Sequence, residues 1–480
     1  MTLFAIILLP LAAALIAGLT PSERFRPWII PAVSLMHIIL VLRLLLASPV
    51  APVDPHAMLA LDALGSLILL VVSLLFTASA FYAVGYFRTH PTWSNRIFIV
   101  CLLIFLSAMS LATAARHLGL LWVAVEATTV ISAPLIYFNR NRLSIEATWK
   151  YLLLCSVGIA LAMLGLLFVA YAGLQSGGEQ GLQFSGLLKS AGALSKPWLR
   201  SGFVFLLVGF GTKMGLAPLH TWKPDAYGEA PGLVGGLLAG GLTSVAFLAV
   251  MRVMQIMVAA GEGIMARQFL LALGILSLVF AAIFVIRQRD IKRMLAYSSI
   301  EHMGILAIGI SVGKLAAYGA MFHVMNNALT KGALFMTAGN IHRYFGSKRM
   351  CETQGAINVL PWSASLFLAG FLAITGSPPF GPFISEFTIL RGIFAEGNFA
   401  LGIAFIFLLT VIFIGMSSTV MTVVLGPSME GPPAEGPAET FMIVISPLLL
   451  MAVVLLLGLY QPEALCRLFQ EAANLLEPLP

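Results

Sequence analysis

Residues 209–231 read GFGTKMGLAPLHTWKPDAYGEAP, and they bring helix-breaking residues and a lysine into an otherwise apolar segment. The helix breakers around Lys213 are Gly209, Gly211, Gly215 and Pro218. A helix broken at membrane depth leaves backbone groups unpaired, and it is tolerated only where it lines a buried or watery cavity. If the segment lies in a membrane, it predicts a broken helix that carries a buried charge.

The composition indicates a membrane protein. Of the 480 residues, 60% are hydrophobic and only 10% are charged, whereas a soluble globular protein has about a quarter charged residues. This excludes a cytosolic enzyme and a nucleic-acid-binding protein. The net charge of +7 is typical of a polytopic chain, because basic residues gather in its cytoplasmic loops.

Apolar runs close to the roughly 20 residues that cross a bilayer recur along the whole chain. Fourteen are predicted, near residues 3–18, 28–47, 58–84, 97–115, 118–138, 150–173, 200–221, 229–256, 267–286, 294–312, 315–339, 361–388, 399–425 and 440–460. The first run lacks the basic start of a signal peptide, so it is interpreted as a span. We therefore expect an all-α polytopic membrane protein.

The orientation follows from the positions of the basic residues. Loops after odd-numbered spans hold most of the lysines and arginines, including Lys223, so these loops are expected on the cytoplasmic side. Both termini should then lie on the outer, periplasmic side of a prokaryotic plasma membrane. Only Arg43, Lys213 and Lys331 remain inside the predicted spans.

Ionisable residues at membrane depth are functional candidates, since an unpaired charge there costs several kcal/mol. Those of interest are Glu126, Lys213, His302, His323, Lys331 and Glu386. His323, Asn327 and Lys331 recur every four residues and so share one helical face. The alternatives are structural: Glu126 would tie two helices, the polar face would hold helices together, and His302 would lie at the interface.

A second broken helix is predicted at residues 375–387, TGSPPFGPFISEF, which ends beside Glu386. Two broken helices with buried charges suggest two copies of one unit, as in transporters built from repeats. The predicted units are spans 4–8 and spans 9–13, which begin on opposite faces and are therefore inverted. The predicted division is residues 1–95, 96–256, 257–425 and 426–480, the last beginning with an acidic loop.

No metal site or cofactor site is predicted. The four cysteines lie far apart, with no CxxC pair and no neighbouring histidine, so neither an iron–sulfur cluster nor structural zinc is encoded. No dinucleotide or phosphate fingerprint is present. We expect a chain without a redox group or catalytic centre of its own.

Several motifs resemble those of the antiporter-like, proton-translocating subunits of complex I, energy-converting hydrogenases and Mrp-type antiporters. Residues 213–231 are similar to the family pattern KxPxxPxHxWLPDAHxxAP, and residues 289–304, RDIKRMLAYSSIEHMG, are similar to DxKRxLAYSSIxHMG. Residues 149–161, WKYLLLCSVGIAL, resemble the hydrogenase-4 component F branch most.

The resemblance implies roles for individual residues. Glu126 and Lys213 would form a charge pair of variable strength, and Lys213 would pass protons through His302 and His323 toward Lys331. Glu386 would release them outward. The family pattern LLxGxLLKMGxYGLLR has a connecting lysine where this chain has Ser244. Either water at Ser244 bridges the gap, which we favour because hydroxyls and glycines leave room for it, or coupling between the halves is weaker.

Asp225 and Glu229, near the predicted cytoplasmic mouth, are candidates for proton uptake, with a solvated helix-end role as the alternative. Three functions remain open at this stage. The first is a proton-conducting subunit bound to other membrane subunits and a peripheral hydrogenase or dehydrogenase arm. The second is part of a Na⁺/H⁺ antiporter or an inorganic-carbon uptake complex, and the third is an assembly scaffold. The lipid bilayer is the surrounding partner, and no nucleic-acid partner is expected.

Overall fold

Twenty α-helices form the described part of the chain. The computed structural model describes residues 2–47, 57–88, 94–175, 181–427 and 439–477, and within these ranges β-structure is limited to three isolated bridges. The all-α prediction is confirmed. Most of the predicted acidic loop, residues 428–438, lies outside the described residues.

The helices follow one another along the chain with short connections. They are α1 Thr2–Leu19, α2 Ile29–Ala47, α3 Ala63–Arg88, α4 Arg96–Ala114, α5 Leu118–Ile136, α6 Arg142–Leu174, α7 Phe184–Lys189, α8 Lys196–Met214, α9 Trp222–Glu229, α10 Gly232–Gly236, α11 Thr243–Ala259, α12 Gly263–Val285, α13 Ile291–Val312, α14 Lys314–Phe345, α15 Ala356–Val359, α16 Pro361–Ile374, α17 Gly381–Ala395, α18 Phe399–Leu425, α19 Phe441–Leu459 and α20 Glu463–Asn474. A π-helical turn, Leu237–Leu242, joins α10 to α11.

Eleven helical segments within the described ranges are long and apolar enough to cross a membrane. The other three predicted spans coincide with α14, whose buried face is polar, and with two interrupted pairs, α8 with α9 and α16 with α17. The chain is therefore a multi-span membrane protein.

Both predicted interruptions occur where glycine and proline lie in the sequence. Helix α8 ends at Met214, because Gly215 adopts a left-handed conformation with φ of 81° that reverses the chain, and α9 begins at Trp222. Helix α16 ends at Ile374, Gly376 has φ of 67°, and α17 begins with a proline in its first turn. The first interruption separates a helix of 19 residues from one of 8, and the second separates helices of 14 and 15 residues.

Helix α6 begins earlier than the apolar pattern predicted. The expected span began at residue 150, but Asn141 accepts a 2.6 Å hydrogen bond from the Ser144 N–H while the Ser144 hydroxyl accepts one from the Asn141 N–H. This reciprocal capping box starts the helix at Arg142. Eight residues of α6, Arg142 to Trp149, therefore precede the predicted apolar span, which begins at Lys150.

The long helix α14 lies at the centre of the fold. It packs against α10, α13, α16, α17 and α19, and most of its side chains are buried. The glycine-rich segment 232–241 lies directly on it, since a methyl group added to Gly240 would overlap the Ala328 carbonyl. The small residues therefore allow close helix packing, and the polar face of α14 is enclosed by protein.

Large apolar side chains project from the outer helices. Leu15 on α1, Leu153 on α6 and Phe407 on α18 are all exposed. In a bilayer, such surfaces contact lipid tails or neighbouring subunits.

Two cations that the sequence assigned to loops are in fact buried. Lys223 lies within α9 and Arg252 within α11, and both side chains are almost fully enclosed. Arg252 forms an ion pair with Asp62, just before α3, and Arg116 lies 3.0 Å from the same carboxylate. Burial alone would raise the pKa of Asp62, but the two guanidinium groups hold it well below its usual range. This cluster ties α3 to α11.

Candidate functional site

Lys213 is held in the protein interior by hydroxyl groups. The residue lies in the last turn of α8, and its side chain is 0% exposed. Its Nζ donates hydrogen bonds to Thr129 Oγ1 at 2.7 Å and to the Tyr151 hydroxyl at 2.8 Å. The Tyr151 hydroxyl is also 2.7 Å from Ser132 Oγ. Helices α5 and α6 therefore supply neutral acceptors that solvate the ammonium in place of water.

Glu126 reaches Lys213 through Thr129. The carboxylate is half-buried on α5 and accepts hydrogen bonds from Thr129 at 3.1 Å and from Ser156 at 3.3 Å. Because Thr129 also accepts from Lys213, its hydroxyl connects the two charged groups. Within the described ranges there is no direct Glu126–Lys213 ion pair, so the expected charge pair is bridged by a hydroxyl.

The second half of the protein brings His302, His323 and Glu386 together, and we call these three residues the histidine–glutamate cluster. The two imidazole rings share a 3.0 Å hydrogen bond between His302 Nδ1 and His323 Nε2. Glu386 Oε1 lies 4.0 Å from His302 Nδ1, and Ser385 Oγ lies 2.9 Å from His323 Nδ1. All of them are buried. His302 is therefore enclosed by protein, and its depth in the membrane stays a prediction.

Lys331 lies on the same buried face of α14 as His323 and Asn327, as the four-residue spacing predicted. Its Nζ makes one long contact, 3.4 Å, to the Leu295 carbonyl of α13. Glu301 of α13 is buried and interacts electrostatically with Lys331. Neither amide atom of Asn327 has a hydrogen-bond partner among the described residues. This face therefore carries polar groups that its neighbours satisfy only in part.

The histidine–glutamate cluster also has the geometry of a set of metal ligands. One donor atom from each residue lies within 4.8 Å of the others, and two histidines with a carboxylate are a common ligand set for divalent transition metals. Sequence spacing gave no sign of this, because the residues come from three different helices. Lys331 interacts electrostatically with both histidines, and its positive charge opposes binding of a dication. Proton transfer suits the arrangement better.

Asp225 and Glu229 line a cavity of about 780 Å³ at one end of α9. Asp225 pairs with Lys150 and Arg293 at 3.0 Å each, and Glu229 pairs with Lys348. The cavity gives both carboxylates access to solvent, and cations lie beside each of them. This geometry is compatible with proton uptake and with a structural role at the helix end.

A second cavity, of about 260 Å³, opens at Glu386. Its walls are mainly apolar, with Phe387 and Leu390 from α17 and Phe405 and Leu409 from α18. Glu386 is 8% exposed, and its Oε1 has no hydrogen-bond partner in the protein. The carboxyl group is therefore close to an opening between α17 and α18.

The hydroxyl of Ser244 forms a hydrogen bond within its own helical turn. It donates a 2.6 Å hydrogen bond to the Gly240 carbonyl of its own helical turn, and the side chain is buried. Ser244 Oγ makes no other hydrogen bond among the described residues, so the water bridge at Ser244 stays a prediction.

Among the buried ionisable residues that sequence reasoning missed, two interact with Lys331, namely Lys223 and Glu301. Lys223 was grouped with the loop cations, because it follows the predicted break, and Glu301 was passed over beside His302. The signal for Lys223 was its position inside the decisive stretch, two residues from Asp225. The signal for Glu301 was its position inside the predicted span 294–312, one residue before His302.

Comparison with known families agrees with this geometry. The family described as "NADH:quinone oxidoreductase/Mrp antiporter, TM" matches residues 115–413, which include both halves of the site. The chain belongs to this family. It is an antiporter-like membrane subunit of the type found in hydrogenase-4, complex I and Mrp complexes.

Individual antiporter-like proteins are similar over most of the chain. The hydrogenase-4 component F homolog of Methylacidiphilum infernorum is 32% identical over 406 residues, covering 82% of this chain and 84% of that protein. A chain of the archaeal membrane-bound sulfane sulfur reductase has the same fold, with a TM-score of 0.88, 21% identity and coverage of 99% and 97%. A chain of Thermus thermophilus respiratory complex I gives a TM-score of 0.83, 24% identity and coverage of 99% and 100%.

Proposed function

We propose that this chain moves protons across a prokaryotic inner membrane as part of a multisubunit redox complex. The observation that carries the proposal is a row of ionisable side chains enclosed at membrane depth: Lys213, His302, His323, Lys331 and Glu386. Burying so many such groups has a high cost in free energy, and transport of a charge is the simplest reason to retain them.

The proposed proton path uses the cavities and hydrogen bonds described above. Protons enter at the cavity lined by Asp225 and Glu229 and reach Lys213, whose charge Glu126 stabilises through Thr129. When Glu126 draws away, Lys213 loses that stabilisation and releases its proton toward the second half. The histidine–glutamate cluster and Lys331 receive it, and Glu386 releases it at the opening beside α18.

The free energy that drives proton movement comes from other subunits. Moving one proton against 100 mV requires about 2.3 kcal/mol, and no redox group is encoded in this chain. Electron transfer in a peripheral hydrogenase or dehydrogenase arm is therefore the proposed source, coupled through neighbouring membrane subunits. The relative from Methylacidiphilum infernorum, a hydrogenase-4 component F homolog, supports a hydrogenase arm.

The proposal also includes the number of spans, the side on which the termini lie and the two repeated units. We infer fourteen spans with both termini on the periplasmic side, and two inverted units at residues 96–256 and 257–425. The pairs α8 with α9 and α16 with α17 would be the equivalent broken helices, because each has a left-handed glycine at its interruption. Residues 1–95 and 426–480 would flank the two units.

Substitution of Lys213 tests the proposal. In vesicles that contain the assembled complex and its electron donor, Lys213→Ala should abolish proton flux per assembled complex, and Glu126→Gln should reduce it. Lys189→Ala, at an exposed lysine, serves as the control and should pump normally. Unchanged flux in Lys213→Ala would contradict the relay.

The second candidate function is a subunit of a Na⁺/H⁺ antiporter or inorganic-carbon uptake complex. The family description supports the antiporter because it includes Mrp. Sodium-dependent proton flux in vesicles without any electron donor would favour it over the redox complex. If charge-neutral substitutions changed only assembly and never flux, the scaffold role would be favoured instead.

A further inference from the structure

Lys223 is a fully buried cation outside the relay described above. It lies in the first turn of α9, and its side chain is 0% exposed. The aliphatic part passes directly over Gly215, where an added methyl group would overlap the lysine Cε. Glycine at position 215 therefore serves two purposes: it reverses the chain after α8, and it opens a path for the lysine into the interior.

The ammonium group of Lys223 has no carboxylate partner. Its Nζ donates one hydrogen bond, 3.2 Å long, to Ser299 Oγ of α13 and lies 5.8 Å from the centre of the Tyr227 ring. Across the residues that the structure describes, no Asp or Glu forms an ion pair with it. A lysine enclosed at membrane depth without a counter-ion is a poor structural anchor, because its desolvation is not offset.

Lys223 lies between the two halves of the relay. The neighbouring Trp222 packs on Tyr151 with ring centres 5.1 Å apart, and Tyr151 binds Lys213. On the other side, Tyr227 packs edge-on against Phe335, one helical turn beyond Lys331, at 5.7 Å. Helix α9 therefore contacts the surroundings of both lysines.

The electrostatic contacts agree with this position. Cys155 of α6 interacts with both Lys213 and Lys223, and Lys331 interacts with Lys223 across the α9–α14 boundary. Repulsion between the ammonium groups of Lys223 and Lys331 favours states in which only one of them carries a proton. A proton that arrives on one lysine thus promotes release from the other.

We propose that Lys223 is the proton carrier that connects Lys213 on α8 to Lys331 on α14. This rests on the proposed function and adds a residue to its path. The sequence motifs support the assignment, since the family pattern has leucine at position 223 and lysine at position 244, where this chain has Lys223 and Ser244. In this chain the connecting lysine lies on α9 instead of α11, so Ser244 does not need to carry the proton.

Three substitutions of Lys223 distinguish a residue that transfers protons from one that only carries a positive charge. Met removes the amine, Arg keeps the charge but does not deprotonate in proteins, and His keeps a group that can titrate. In donor-driven vesicles, Lys223→Met and Lys223→Arg should each lower proton flux per assembled complex by at least tenfold. Lys223→His should retain part of the flux, with an altered pH profile.

A matched control is Lys292→Met. Lys292 is also buried, but it donates to the Ala230 carbonyl at 3.1 Å and lies at the start of α13. We expect this variant to assemble less well and yet to pump normally per assembled complex. If Lys223→Met does not assemble, the Arg and His variants decide the question.

A failure of this inference can be distinguished from a failure of the proposed function. If Lys213→Ala abolishes flux while Lys223→Met or Lys223→Arg keeps more than half of it, Lys223 is not a carrier and the relay stands without it. Lys223→Arg with normal flux would mean that only its charge matters. If Lys213→Ala itself pumps normally, the proposed function and this inference both fail.

Discussion

The two halves of the protein hold their lysines in different ways. Lys213 donates to two hydroxyls at 2.7 and 2.8 Å, and its nearest carboxylate, Glu126, is half-buried beyond a threonine. Lys331 has one 3.4 Å contact with a carbonyl oxygen and interacts electrostatically with Glu301, His302 and His323. The first site is built from neutral groups and the second from ionisable ones.

This difference indicates a division of labour. Neutral hydroxyls that accept from an ammonium stabilise the charged form and respond little to neighbouring protons. Ionisable neighbours at short range titrate together, so a proton that reaches one of them changes the affinity of the others. We therefore expect the first half to store a proton and the second half to pass it on. Among substitutions of the groups around each lysine, those in the second half should therefore have the larger effects on flux.

Among the groups around the two lysines, Glu386→Gln should give the largest effect. The amide cannot take up or release a proton, and Glu386 is the group that reaches the opening beside α18, so flux per assembled complex should fall at least tenfold, a barrier increase of about 1.4 kcal/mol or more. Glu396→Gln is the control, because Glu396 pairs with the exposed Lys314. Flux above half of the wild-type value in Glu386→Gln would mean that protons leave by another route.

Thr129→Val should have a smaller effect, because it removes only the link between Glu126 and Lys213. Valine has nearly the shape of threonine, and Lys213 keeps its bond to Tyr151, so we expect a loss of about three- to tenfold in flux. Thr128→Val is a matched control, since the Thr128 hydroxyl donates to Val125 within its own helix. Equal flux in the two valine variants would show that Glu126 acts on Lys213 without the bridge.

Tyr151→Phe should reduce flux by about twofold. Lys213 would still donate to Thr129, and Ser132 would still donate to the Thr129 carbonyl at 3.2 Å. Initial pumping rates across a pH series measure the effect. A loss as large as that of Glu386→Gln would contradict the division of labour, because the first half would then be as sensitive as the second.

Asp62→Asn should leave flux per assembled complex unchanged and lower stability. The carboxylate has a lowered pKa in the folded protein, so its contribution is fully present above its unfolded pKa, near 3.9, and is lost as pH falls through the folded value. The difference in Tm between wild type and Asp62→Asn should therefore stay constant from about pH 5 to 8. A difference that grew toward pH 8 would assign the effect to another group.

Much of the site could be predicted from sequence because charge is rare in this chain. With few ionisable residues among apolar neighbours, Glu126, Lys213, Lys331 and Glu386 stood out at once, and their helical spacing placed His323 with Lys331. Lys223 was missed for a physical reason. Lys223 follows a broken helix, and hydropathy cannot tell whether the chain after a break returns to water or turns back into the protein.

The sequence by itself determined the membrane-spanning class, the two helix breaks and the polar face of α14, since each depends on hydropathy, on glycine and proline, or on helical period. Only the tertiary structure decided which charges meet. Thr129 lies between Glu126 and Lys213 because the Lys213 side chain at the end of α8 reaches α5, and the histidine–glutamate cluster forms because α13, α14 and α17 converge. Lys223 is enclosed because α9 packs between α6 and α13. Such contacts join residues up to 84 positions apart in the chain, and no local pattern encodes them.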